Sequence, residues 1–172
     1  MSRRIHNSVY STPWFDLIAI ASKKEPDNIF YGLKPLDYVT AVAFHSKTSI
    51  YLVKQFRPVI NKYCLETPGG HVEANQTPAE SIDIELREEL GIKFDNLTPI
   101  ATLDPDVGRL MNKLHVFKAE TPSIIGDPEP GIKKIIVDIK DIPALIAQHS
   151  FETAYSIAAI SLACFYTSYC DD

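Results

Sequence analysis

Two hydrophobic periods alternate along the chain. Continuous or alternating apolar residues at 14–20, 29–31, 39–44 and 50–53, separated by breaks containing Lys, Asp or Pro, predict strands. Residues 100–103, 114–117 and 135–139 predict three more. Between these groups Ala79, Ile82, Leu86 and Leu90 recur at helical spacing, and helical periodicity returns from about Glu152 to Tyr169. No internal repeat, low-complexity tract or interdomain linker interrupts the pattern. The 172 residues suffice for a single α/β domain with a sizeable core.

The first helix has local start and stop signals. Thr77-Pro78-Ala79-Glu80 reads as a capping box with proline at the first helical position, and Gly91 supplies the left-handed residue that ends a helix, so the span is 78–90. Glu85, Glu88 and Glu89 lie on this helix at i, i+3 and i+4, which gathers three carboxylates onto one face. At about 100° per residue that face lies beside the apolar one, whereas a solvated charge run sits opposite the core. The loop before it, Glu66-Thr67-Pro68-Gly69-Gly70, is free to aim a backbone carbonyl at an ion. Carboxylates plus one carbonyl form the oxygen set that magnesium takes.

From Gly70 to Ile92 the chain resembles the Nudix hydrolases, whose signature is G-x5-E-x7-R-E-U-x-E-E-x-G-U, with U a bulky aliphatic residue. Gly70, Glu85, Leu86, Glu88, Glu89, Gly91 and Ile92 match; Gln76 stands where the pattern has glutamate and Ile84 where it has arginine. Outside this box, residues 50–58 and 65–70, then 104–110 and 114–119, are similar to the ADP-ribose and nucleotide-sugar pyrophosphatases.

The resemblance implies an α/β/α sandwich with a mixed sheet over 37–172 and an N-terminal β-hairpin extension over 1–36 that helps build a homodimer. It implies hydrolysis of a nucleoside diphosphate joined to a sugar, with Mg2+ or Mn2+ held by Glu85, Glu89, Glu88 and the Gly69 carbonyl. Glu88 and, on a late loop, Glu129 are the catalytic candidates, with Glu120 in reserve as general base. Arg57, Glu66 and Arg109 are expected at the substrate, and Trp14 either stacks on the base or packs in a strand of the dimer. His71 and His115 are expected to find local partners. Gln76 and Ile84 together remove a charged brace behind the glutamates, which opens a second reading, a nucleotide-sugar binding module that does not hydrolyse. Nucleoside triphosphate hydrolysis fits the flanking segments less well.

A formal net charge of −5 argues against nonspecific nucleic-acid binding. Cys64, Cys164 and Cys170 are scattered and read as reduced thiols rather than a zinc site. Without a signal-like N-terminal segment or a span long enough for a bilayer, the expectation is a cytoplasmic protein with no membrane partner.

Overall fold

The computed structural model describes residues 4–22, 24, 25 and 27–166, arranged as two sheets with helices on both faces of the larger. The smaller sheet is an antiparallel meander of β1 (Arg4–Ser11), β2 (Phe15–Ala21) and β3 (Ile29–Pro35). The expected hairpin extension is therefore three-stranded. Its first strand escaped sequence reading because RIHNSVYS has neither an apolar run nor strict alternation.

The larger sheet contains β4 (Tyr38–Ser46), β5 (Ser49–Arg57), β6 (Lys62–Glu66), β7 (Gly69–His71), β8 (Ile92–Leu103), β9 (Leu114–Ile124) and β10 (Lys133–Asp138). Its order is β10-β5-β4-β9-β8, with β6 on β5 and β7 on β4. Only β4 and β9 run parallel, so the sheet is mixed as expected. Val39, Ala41, Tyr51 and Val53 pack against Ile82, Leu86 and Leu90 of α1 (Pro78–Leu90). Val42, Ile50 and Leu52 point the other way, against Ile142 of α2 (Ile142–Ala147) and Ala159 and Ile160 of α3 (Ala154–Ser161). The strand period of two thus feeds both layers, and burial on both faces explains why β4 and β5 read as unbroken apolar runs.

The C-terminal helix expected over 152–169 is shorter. α3 ends at Ser161 and a π-turn covers Leu162–Tyr166, while 167–169 lie outside the described residues. α2, with six residues, is too short to show a period and was not expected. Among the described residues no helix is long and apolar enough to cross a membrane.

One local departure from sheet regularity positions the site. β4 pairs with β5 only through Ala43–Ser46, and its first three residues pair instead with β7. β5 meanwhile continues onto β6 from Val53 to Arg57. Thr67 and Pro68 cross between the diverging strands. The Thr40 hydroxyl and the Ala41 amide both donate to the Pro68 carbonyl at 3.0 Å, and the Thr67 amide and hydroxyl donate to Ser156 Oγ of α3 at 2.9 Å. The smaller sheet joins this body through Leu33, whose amide donates to the Arg109 carbonyl at 2.7 Å and whose carbonyl accepts from Met111 at 2.9 Å.

Candidate active site

The site is built on α1, whose ends follow the local code. Thr77 Oγ1 accepts from the Glu80 amide at 3.3 Å, and Glu80 Oε2 accepts from the Thr77 amide at 2.7 Å. Gly91 stops the helix at φ 65°, its amide bound to the Arg87 carbonyl at 2.9 Å. Asp83 and Arg87 pair on the helix at 2.7 Å. At the two departures from the signature, Gln76 Oε1 accepts from the buried Ser81 hydroxyl at 2.7 Å, and Ile84 is exposed. The amide thus braces the loop to the helix through a neutral bond in place of a charged one.

The three glutamates differ in environment. Glu89 is only 4% exposed; its Oε2 accepts from the Gly69 amide at 2.9 Å and its Oε1 from Gln55 Nε2 at 3.4 Å. Glu85 lies against Gly70 so closely that a Cβ there would stand 1.9 Å from its Oε1. Glu88 is exposed. Burial pushes Glu89 up to about 8 despite the Gly69 hydrogen bond, and burial followed by repulsion from Glu88 and Glu129 pushes Glu85 up to about 7. Gly69 meets this cluster through its amide, which donates to Glu89. With Glu89 turned to Gly69 and Glu85 to Gly70, no three His, Cys, Asp or Glu side chains among the described residues close around one point.

These carboxylates suit a hard divalent cation. They form an all-oxygen set, two of them lose solvation on folding, and they repel one another, with Arg57 and the Gly69 amide offsetting only part of the cost. A stability test follows. The metal-free fold binds more protons at Glu85 and Glu89 than the unfolded chain does between about pH 4.5 and 8, so its stability falls as pH rises through that window. Thermal melts in chelator should give a lower midpoint at pH 8 than at pH 5. Added magnesium should restore more at pH 8, because it takes ionised ligands. A midpoint rising steadily with pH in chelator would contradict this placement.

Beside the acidic face stands a second cluster. Arg57, at the end of β5, forks onto Glu66 through Nε to Oε1 at 2.8 Å and Nη2 to Oε2 at 2.6 Å. Tyr155 of α3 donates to the same Oε2 at 2.5 Å. Glu66 is 3% exposed, so it is a buried anchor, while Arg57 keeps 43% of its side chain exposed. The Arg57 guanidinium is raised first by its hydrogen bond to Glu66, and Glu89 also acts on it. Arg57 thus links the buried pair to the acidic face.

Glu129 arrives from the loop after β9. Its amide donates to the Glu88 carbonyl at 2.8 Å, and its charge reaches Glu85. Glu120 instead pairs with Lys118 at 2.9 Å. Trp14 sits in the turn after β1, 73% exposed, in neither strand; its amide and that of Phe15 donate to Thr12 Oγ1. Arg109 lines a groove of about 900 Å3 between the smaller sheet and the 104–113 loop, with Phe30, Tyr31, Lys24 and Lys113. Among the described residues neither Trp14 nor Arg109 is bonded to the acidic cluster. His71 meets the Tyr38 ring edge-on at 5.2 Å, and His115 lies between Asp37 and Thr102. Cys64 and Cys164 are free thiols, and Cys170 falls outside the described residues. Gln55 and Tyr155 had no sequence signal.

A family model described as NUDIX domain matches residues 34–158. The ADP-sugar pyrophosphatase of Mus musculus is 33% identical over 112 residues, 57% of this chain and 49% of that protein. The chain therefore spans about half that relative's length. The ADP-ribose pyrophosphatase of Bacillus subtilis (strain 168) is 28% identical over 132 residues, covering 72% of this chain and 71% of that one. A crystal structure of an ADP compounds hydrolase superposes with a TM-score of 0.80 at 17% identity, covering 99% of this chain and 96% of that chain, which establishes a shared fold.

Proposed function

The chain belongs to the NUDIX domain family, and from that premise we propose that it hydrolyses the diphosphate bond of a nucleoside diphosphate sugar, releasing a nucleoside monophosphate and a sugar phosphate. The observation that carries the reading is the packing of Glu85 and Glu89 against the glycine loop, with the Arg57 guanidinium acting on Glu89. A carboxylate face for a cation beside a cation for phosphate is the charge pattern a diphosphate requires. The names of the similar proteins support a diphosphate joined to a sugar.

Glu85, Glu89 and Glu88, with the Gly69 carbonyl, would hold Mg2+ or Mn2+. When bound, such an ion neutralises diphosphate oxygens and makes water a better nucleophile. The chain's own groups supply the rest. Arg57 offers Nη1 to a phosphate oxygen, Glu66 holds that guanidinium, and Glu129, tied to Glu88 by its backbone, takes a proton from the attacking water. One water O–P bond forms as the bridging P–O bond breaks. Arg109, in the groove with Phe30 and Tyr31, is assigned to the sugar or base end. Trp14 is assigned to the base or to a second copy of the chain. Exposed Val9, Tyr10, Ile29, Phe30 and Tyr31 on the smaller sheet, with Trp14 in the turn between its first two strands, support a homodimer built through that sheet.

A panel of ADP-, GDP- and UDP-sugars incubated with magnesium or manganese and separated by chromatography tests the reading. Monophosphate release from at least one member is expected. Activity confined to nucleoside triphosphates would refute it. The second reading, a binding module, is favoured by the neutral bond of Gln76 to Ser81 and the exposed Ile84, which stand where the signature has a charged pair. Tight binding without turnover across the panel would select it.

A further inference from the structure

Three consecutive positions entering the glycine loop are held from one helix end. Thr153 Oγ1 donates to the Leu65 carbonyl at 3.0 Å, Tyr155 Oη to Glu66 Oε2 at 2.5 Å, and Ser156 Oγ accepts from the Thr67 amide at 2.9 Å. The outer two bonds involve backbone and fix the strand. The middle one reaches a side chain that carries nothing structural onward except Arg57. We propose that Tyr155 is a positioning residue for the reaction: by clamping Glu66 it holds the Arg57 guanidinium in the orientation that presents Nη1 to the substrate diphosphate. This rests on the nucleoside diphosphate sugar reading above.

The physical reason lies in the freedom of a glutamate terminus. The last torsion of a glutamate side chain is broad, so a carboxylate held by a single guanidinium rotates together with it. A second donor on one oxygen removes that freedom. Arg57 uses Nε and Nη2 on Glu66, and among the described residues Nη1 has no hydrogen-bond partner. Glu66 is buried and Arg57 half-exposed, so the pair joins a fixed end to an accessible one. Truncating Tyr155 to Phe keeps the ring in place and deletes only the clamp. The bidentate fork then survives with its direction loosened, a loss felt where directed phosphate binding is needed.

The test is a double-mutant cycle of Tyr155→Phe and Arg57→Ala, with kcat and KM measured on the panel member the wild type turns over best. Tyr155→Phe is expected to raise KM about tenfold with kcat little changed, a size typical of losing support behind a functional group. In the Arg57→Ala background the same substitution should be silent, because the group it orients is gone. An equal loss in both backgrounds, or a lowered melting midpoint with unchanged KM, overturns the positioning role while leaving the hydrolase reading intact. If the wild type turns over nothing, calorimetric titration of ADP into the four proteins repeats the cycle on Kd. Binding with the same coupling supports the clamp in a binding module, and absence of ADP binding sinks both proposals.

Discussion

Glu89→Gln should remove activity and stabilise the metal-free protein at the same time. The amide keeps the shape of the side chain but supplies no charge to a cation, and a lost ligand should cost more than the 10–100-fold typical of a lost outer partner. A fall on the order of 10^3-fold in kcat/KM, about 4 kcal/mol, is expected. Stability moves the other way because Glu89 is buried and pushed up to about 8, so at pH 8 its ionisation opposes folding. The variant avoids that cost and should melt about 3 °C or more higher in chelator at pH 8. At pH 5 the wild-type carboxyl is already protonated in the fold, and the gain should vanish. Magnesium should raise the wild-type midpoint and leave the variant nearly unmoved. Turnover within tenfold of wild type would remove Glu89 from the reaction.

Gly69→Ala should destabilise the fold and lower activity together. A Cβ at this position would stand 2.1 Å from the Val39 carbonyl oxygen and 2.8 Å from Thr40 Cα. Both are backbone atoms of β4, so no rotamer change relieves the overlap; β7 has to lift off. Overpacking that forces backbone movement costs about 3 kcal/mol or more, which lowers the melting midpoint of a chain this size by about 6–12 °C. Lifting β7 also draws the Gly69 amide away from Glu89, so activity should fall with stability. Gly126→Ala is the control, since nothing lies within 4 Å of a Cβ there. Equal midpoints for the two variants, measured by calorimetry, would show that β7 is free to move.

The contrast between α1 and the Arg57 cluster shows what a sequence carries on its surface. Thr77, Pro78, Glu80 and Gly91 act on neighbours within a turn, so the helix bounds 78–90 and the shared face of Glu85, Glu88 and Glu89 were readable and the structure agrees. The alternation of β4 and β5 between two layers was visible only as continuous apolarity, which left open which residue faced which helix. Tyr155 and Glu66 are 89 positions apart, and no local rule connects them. The same distance separates Thr67 from Ser156. Glu66 is a lone carboxylate in sequence and becomes an anchor only when β6 leaves the sheet beside α3. Gln76 reads as a lost carboxylate until folding brings Ser81 to it.

The hydrogen bonds that tie the loop after β9 to α1 and its cap are main-chain ones: Ile125 and Gly126 donate to the Gly91 carbonyl and Glu129 to that of Glu88, while Ile132 packs against the core. Its course is therefore independent of what side chain occupies position 129, which is exposed. Evolution or an engineer can exchange that side chain, a carboxylate for an imidazole or a hydroxyl, without renegotiating the scaffold. The fold separates the apparatus that holds charge, locked onto α1 and the adjoining strands, from a replaceable position facing it where new reactivity can be tried.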